Sequence, residues 1–288
     1  MKEGYWVVRT YEAGAVGEKI KFWIPGKRPN GKTKRSEKAE IKKQEQNEYS
    51  SQKSLARLLN ANFRAGDVLL GLDYSEQGLK KILASVTGTE EWNLADDEQK
   101  RELVYKAAEH AMNLYLRRLK RELKKDGIEL KAISTTSDMD GDTGELVRVH
   151  HHIVVNAEAR DKLIEKWKLG GVDIESLSNQ GDYTALAEYL LRQVRRRADA
   201  KKYTSTRNLI RPQPKDRVAM SDAPLRVPQG GTLIFCAEYR KNAPQYIRYF
   251  TGKGSKHKTD GNTHRGGSIS GTVRPCAVGK GAVQSEQL

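Results

Sequence analysis

The chain has little of what marks secreted or membrane-spanning proteins. Its 288 residues include only two cysteines, Cys236 and Cys276, which lie far apart and in no CxxC spacing. Neither a disulfide framework nor a cysteine zinc site is expected from them. No stretch approaches the roughly 20 apolar residues of a spanning helix, and the first ten residues contain no apolar signal core. We therefore expect a cytoplasmic protein with no membrane partner.

Apolar and acidic residues are also scarce relative to basic ones. Hydrophobic residues make up 37% of the chain and aromatics 7%, which suggests that part of the chain stays solvated. The chain has 52 Lys and Arg against 37 Asp and Glu, a formal net charge of +15. The excess is concentrated in residues 27–43, 192–215 and 251–288, and the rest of the chain is slightly acidic. A charge of this sign favours a polyanionic partner, either nucleic acid or an anionic surface.

The order of the apolar patterns predicts an α+β fold with one antiparallel sheet packed against helices. We expect four segments. Residues 1–60 form a hairpin followed by a basic linker and a polar helix, and residues 61–212 form the main domain. Residues 213–250 form a small extension with one strand at 231–239, and residues 251–288 form a disordered basic tail. Within the main domain the predicted elements are a strand at 67–74, a long helix over 104–123, strands at 130–136 and 147–155, and helices at 159–169 and 183–198.

Three consecutive histidines lie in the second of two strands joined by an acidic turn. Side chains alternate along a strand, so His150 and His152 share one face while His151 points to the other. Two imidazoles at i and i+2 on a rigid strand suit a divalent ion together with an oxygen ligand. Asp138, at the end of the neighbouring strand, is the first choice for that ligand. The acidic residues of the turn remain as alternatives: Asp140, Asp142 and Glu145.

A second candidate group lies on the predicted helix at 183–198. Leu186, Leu190 and Val194, spaced by four, indicate its buried stripe, and Tyr189 lies at the edge of that stripe one turn before Arg192. A phenol, with a pKa near ~10, needs a neighbouring positive charge or an activated phosphate to act as a nucleophile.

Together these motifs resemble the HUH endonuclease superfamily. Within it, RLLNANFRAGDVLLGLDY, VHHHIVVN, LAEYLLRQ and KYTSTRNLIRP are similar to rolling-circle replication initiators of the filamentous-phage gene II type, in the family's order. The resemblance covers roughly residues 5–212. It implies a ferredoxin-like (RRM-like) sheet and a bound Mg²⁺ or Mn²⁺ held by His150, His152 and an acidic or polar residue. It also implies that Tyr189 cuts one DNA strand to leave a 5′-phosphotyrosine link and a free 3′-hydroxyl.

Three departures from the family's pattern stand out. The residue between the paired histidines is His151, where a hydrophobic residue is usual. Arg192 stands where a lysine is common, and an arginine binds phosphate but is a poor proton donor. Only Tyr189 fits the helix motif, since Tyr183 lies on another face and Tyr203 lies beyond the helix, so a single-tyrosine enzyme is expected.

The basic stretch after Tyr189 is the expected path for single-stranded or origin DNA, with Tyr203 and Arg207 available to stack on bases. Host polymerase and helicase are the expected protein partners, in the cytoplasm of a bacterial host cell. A relaxase or transposase of the same chemistry, and a basic nucleic-acid binder without nuclease activity, remain alternatives. The expected DNA contacts are Arg195, Arg196, Arg197, Lys201, Lys202, Tyr203 and Arg207.

Overall fold

The computed structural model describes residues 4–26, 37–178, 181–194, 202–219, 223–237 and 245–252. It has the α+β architecture that the sequence predicts, with six α-helices and ten strands in the described part, arranged as two antiparallel five-stranded sheets. The helices are α1 (Glu37–Asn62), α2 (Glu76–Ala84), α3 (Thr89–Leu94), α4 (Asp97–Lys125), α5 (Arg160–Lys166) and α6 (Thr184–Arg192).

The central sheet has the strand order β6-β3-β5-β4-β7. Its first four strands in the chain are separated by helices in the pattern βαββαβ, and their order in the sheet, fourth-first-third-second, is that of a ferredoxin-like fold. These strands are β3 (Val68–Leu72), β4 (Ala132–Met139), β5 (Leu146–Val155), β6 (Val172–Ser176) and β7 (Thr204–Ser205).

Each face of the central sheet is covered by a different group of helices. Ile153 and Val155 of β5 pack with Leu119 and Leu123 of α4 in one core. Val154, on the opposite face, packs with residues of α1 and α6 in a second core. Apolar side chains therefore alternate between two cores along β5, and this is why the strand sequence is apolar on both faces.

Gly127 ends α4. Its φ is +72°, and the N–H of Ile128 donates to the carbonyl of Leu123 over 2.9 Å, which closes the helix with a left-handed glycine. At the other end, Asp96 accepts from the N–H of Gln99 over 2.8 Å while the Gln99 side chain accepts from the Asp96 N–H. This capping box fixes where the helix begins.

The predicted N-terminal hairpin is confirmed, and the structure supplies the partners that the sequence did not reveal. The hairpin lies in a second sheet with order β8-β1-β2-β10-β9, so that residues from the 213–250 segment flank it on both sides. The strands are β1 (Tyr5–Ala13), β2 (Val16–Ile24), β8 (Lys215–Ala219), β9 (Thr232–Ala237) and β10 (Gln245–Phe250).

This N-terminal sheet is attached to α1 through buried polar contacts. Arg57 of α1 forms a 2.8 Å ion pair with the buried Glu18 of β2, and its guanidinium lies 3.5 Å from the centre of the Tyr11 ring. Lys53 donates to the Tyr246 hydroxyl over 2.8 Å.

In the described part of the chain, no helix is long and apolar enough to cross a membrane. The predicted tail falls almost wholly outside the described residues.

Candidate active site

The three histidines of β5 separate as strand alternation predicts. His151 is fully buried, with Nε2 2.7 Å from the Tyr74 hydroxyl and Nδ1 3.0 Å from the Thr136 hydroxyl. Burial, and then the charges of His150 and His152, lower the pKa of His151 to about 3. His151 is therefore a neutral, hydrogen-bonded part of the core beneath α4.

His150 and His152 are half-buried on the opposite face, and their ring centres lie 5.0 Å apart. Both Nε2 atoms lie close to one atom, Oε1 of Gln193, at 3.3 Å and 2.8 Å. Gln193 is the residue that caps the C-terminal end of α6. The two imidazoles thus converge on one oxygen atom at the end of α6, the helix that carries Tyr189.

The backbone fixes the proton of His150. Its Nδ1 lies 3.0 Å from the carbonyl oxygen of Arg148, and because a carbonyl only accepts, Nδ1 carries the hydrogen. The other ring nitrogen, Nε2, is the one that faces Gln193. A metal-binding histidine ordinarily has this second-shell arrangement, with the far nitrogen donating to a carbonyl.

The pKa of His152 is lowered, chiefly by burial and next by His150. The hydrogen bond that His152 Nε2 donates to Oε1 of Gln193 opposes this shift, as do the carboxylates of Asp73 and Asp173. Asp173 belongs to β6 and is opposite Gly71 of β3, which is itself opposite His152. Because Gly71 has no side chain, no side chain of β3 lies between Asp173 and His152 at this position. The negative charge of Asp173 therefore acts on His152 by electrostatic attraction.

Tyr189 lies where the sequence places it, one turn before Gln193 on α6. Its side chain is 43% exposed, and its ring centre lies 5.4 Å from that of His152 at an interplanar angle of 69°. Ala187, Leu190 and Leu191 are the residues of α6 that enter the core. The phenol is therefore both accessible to solvent and adjacent to the paired histidines.

The end of α6 is fastened to the β4–β5 turn. The Ser137 hydroxyl donates to the carbonyl of Gln193, and Ser137 is the direct cross-strand partner of His150. A Cβ on Gly141 would lie 2.8 Å from Cγ of Gln193, so the turn approaches the glutamine closely. These contacts set the distance between the tyrosine helix and the histidine strand.

The acidic candidates occupy different positions. Asp138 is buried, 3% exposed, where the β4–β5 register shifts between Ser137 and Met139. Asp140 accepts from the N–H groups of Asp142 and Thr143, and these bonds lower its pKa. Glu145 is exposed. Among the described residues, no group of three His, Cys, Asp or Glu side chains is placed to hold a metal ion.

Gln193 is the site residue that sequence reasoning missed. Its position four residues after Tyr189 puts both side chains on one helix face, and this spacing was the available signal. Two imidazole nitrogens and an amide oxygen are nitrogen and oxygen donors of the kind that Mn²⁺ and similar ions accept. The donor set of His150, His152 and Gln193 therefore fits a divalent ion.

Arg192 forms an exposed 3.0 Å ion pair with Asp142, which connects α6 to the acidic turn. Of the expected DNA contacts, Lys202 lies 3.8 Å from Glu48 of α1, and Tyr203 packs against the core shared by α1 and α6. Arg207 lines a groove with Arg117 and Lys120 of α4. Arg195, Arg196, Arg197 and Lys201 lie outside the described residues.

Comparison of the chain with protein-family models, with curated proteins and with solved structures finds no match.

Proposed function

We propose that this protein is a replication-associated DNA-nicking and rejoining endonuclease that initiates rolling-circle replication of a phage, plasmid or integrated element. One observation carries the proposal: Nε2 of His150 and of His152 converge on Gln193 Oε1, and Tyr189 lies one turn earlier on the same helix against His152. A nucleophile beside a paired-imidazole site on a rigid sheet is the arrangement that metal-assisted phosphodiester transfer needs.

The ion would be held by His150, His152 and Gln193. When bound, a divalent ion polarises the scissile phosphate and neutralises charge in the transition state. The protein's part is to aim the two imidazoles: burial lowers the pKa of His152, which favours its neutral form, and the Arg148 carbonyl fixes the orientation of the His150 ring. Mg²⁺ or Mn²⁺ is the proposed cofactor.

Tyr189 supplies the nucleophile. A bond forms between its phenolic oxygen and the phosphorus, and the bond from phosphorus to the 3′-oxygen breaks, so that the proton of the phenol is balanced by a proton on the released 3′-hydroxyl. The phosphodiester energy is kept in the 5′-phosphotyrosine link, which allows rejoining. Host polymerase would extend the free 3′-end, and a host helicase would separate the strands.

Arg192 is placed to bind the phosphate next to the one that is cut. Its guanidinium is now paired with Asp142, whose side chain is 88% exposed, so DNA competes with an exposed carboxylate for this cation. An exposed ion pair of this kind contributes about 1 kcal/mol or less, so little free energy is lost when a DNA phosphate replaces Asp142. Asp142 therefore acts as a mobile counterion that DNA replaces.

The test is a covalent adduct. Single-stranded oligonucleotides tiled across the element's replication origin and labelled at the 3′-end are incubated with the protein and Mn²⁺. A protein-linked labelled band is expected, and 5′-labelled strands should give only a shortened free product. Tyr189→Phe should abolish the band, whereas Tyr49→Phe, at another half-exposed tyrosine, should not.

Absence of an adduct with the wild-type protein, or an equal adduct with Tyr189→Phe, would refute the proposal. A non-catalytic binder would retain the DNA and form no link. A relaxase or transposase would give the same adduct on a transfer origin or a transposon end. The sequence of the linked strand therefore distinguishes a replication initiator from these two enzymes.

A further inference from the structure

The N-terminal sheet has an aromatic and basic face that the proposed chemistry does not use. Trp6 of β1 and Trp23 of β2 are direct cross-strand partners, with ring centres 5.3 Å apart at 68°. Trp23 is 47% exposed, and the backbone of Gly4 lies against one side of its indole, since a Cβ there would be 2.5 Å from the ring. A partly exposed indole supported on one side by backbone can stack on a planar ligand.

Cations lie beside these tryptophans on the same face. Lys21 is two residues from Trp23, and its Nζ lies 5.1 Å from the centre of the Trp6 ring. On the edge strand β8, Arg217 is opposite Val8, which is two residues from Trp6, and Ala219 is opposite Trp6 itself. Residues two apart on a strand, and direct cross-strand partners, share a face. Arg217 therefore lies on the tryptophan face, and the residue opposite Trp6 is the small Ala219.

Lys215, opposite Thr10, continues this basic edge, and both Lys215 and Arg217 are exposed. Part of the face is covered. Residues 223–228 cross its middle, where Lys21 donates to the Ala223 carbonyl over 2.7 Å and Lys19 donates to the Arg226 carbonyl over 3.0 Å. Among the described residues, the open part is thus the tryptophan pair together with the basic edge of β8.

The sequence that follows β2 is strongly basic. β2 ends at Ile24, and residues 27–43 of the sequence, which follow directly, hold eight basic and two acidic residues. A single strand of nucleic acid offers both a phosphate backbone for the cations and bases for the indoles. An apolar protein partner would gain nothing from this concentration of charge.

We propose that Trp6, Trp23, Lys215 and Arg217 form a second binding surface for single-stranded DNA, distinct from the histidine and tyrosine site. The choice of DNA rests on the proposed nicking function; stacking on Trp23 and contact with the β8 cations do not depend on it. The surface would hold the strand that is displaced or presented during replication while the active site acts elsewhere.

The experiment measures binding of fluorescein-labelled dT20 by fluorescence anisotropy, over a range of salt and without divalent metal. Trp23→Ala should weaken binding about tenfold, the loss of one stacked base. The double variant Lys215→Ala, Arg217→Ala should flatten the slope of log K against log salt by about 1.4, because two phosphate contacts are lost.

Matched controls come from α2 and α3. Trp92→Ala removes a half-buried tryptophan of α3, and the double variant Lys80→Ala, Lys81→Ala removes two exposed lysines of α2. Neither should change the Trp23-dependent binding. Circular dichroism and thermal unfolding establish that each variant is folded before its affinity is compared.

Unchanged affinity and salt slope in both surface variants would overturn the surface, as would a wild-type protein that does not bind dT20. Tighter binding of rU20 than of dT20 would overturn the choice of DNA. A dimer in sedimentation that Trp23→Ala dissociates would show that a second copy occupies this face. If no tyrosine adduct forms but Trp23→Ala still loses binding, the nicking proposal fails and this surface stands.

Discussion

Oε1 of Gln193 lies 2.8 Å from Nε2 of His152, and this one contact joins the helix that carries the tyrosine to the strand that carries the histidine pair. Because the His150 Nε2 atom is also within 3.3 Å of the same oxygen, both imidazoles are oriented by a single side chain. The backbone of Gln193 is held in turn, because its carbonyl oxygen accepts a hydrogen bond from the Ser137 hydroxyl.

Gln193 should therefore govern metal affinity. We expect Gln193→Met, which keeps the side-chain length and removes the amide oxygen, to weaken Mn²⁺ binding about tenfold or more. Gln193→Glu should retain or tighten it, because a carboxylate is a better ligand for a hard cation. Isothermal titration of the purified protein with Mn²⁺ measures both. Gln77→Met, at an exposed position of α2, is the control, and equal affinities for wild type and Gln193→Met would contradict the assignment.

His151 should matter for stability rather than for metal binding. Replacement by Leu removes the imidazole partner of the buried Tyr74 hydroxyl and of the half-buried Thr136 hydroxyl, and the loss of a hydrogen bond at a buried group costs about 1–3 kcal/mol of unfolding free energy. We expect a clear fall in the urea midpoint with Mn²⁺ affinity preserved. His152→Leu should show the opposite pattern. If His151→Leu loses Mn²⁺ binding while it keeps wild-type stability, the division of roles among the three histidines is wrong.

Asp142 should restrain Arg192. Asp142→Asn removes an exposed partner, so the melting temperature should change little, by about the 1 kcal/mol or less that an exposed pair contributes. Affinity for single-stranded DNA should rise two- to threefold at low salt, since one negative charge near the cleft is lost and the guanidinium is released. Anisotropy titrations at two salt concentrations test this. Asp97→Asn, at the start of α4, is the matched control, and a gain of the same size there would mean that only net charge matters.

Lys53 should make stability depend on pH in the alkaline range. Burial is the main cause that lowers its pKa to about 8, against 10.5 for an exposed lysine. The unfolded chain then binds more protons than the folded one between pH 8 and 10.5, so in this window folding becomes more favourable as pH rises. Relative to Lys53→Met, the unfolding free energy of the wild type should increase by up to about 1.4 kcal/mol per pH unit.

Urea unfolding of both proteins at pH 7.5, 8.5 and 9.5 gives this difference. Lys80→Met controls for replacing an exposed lysine by methionine. A difference between wild type and Lys53→Met that stays constant over the three pH values would show that Lys53 keeps its proton when folded.

The strands and helices that the sequence predicted correctly have strong apolar periodicity. β5 and α4 each contribute buried residues at regular spacing, and Gly127 ends α4 with a left-handed backbone. β6 and β8 were missed because nearly all of their residues are exposed, so they have no apolar alternation to recognise. They are edge strands, held by backbone pairing to a neighbour rather than by burial.

The sequence by itself determined the order β3, α4, β4, β5 and α5 in the central domain, the common face of His150 and His152, and the position of Tyr189, because strand and helix periods are local. The tertiary structure alone decided that Gln193 meets both histidines, that Asp142 pairs with Arg192, and that strands from residues 213–250 complete the N-terminal sheet. Those contacts join residues 41 to more than 200 positions apart, and local preference carries no information about which distant partners meet when the two cores pack.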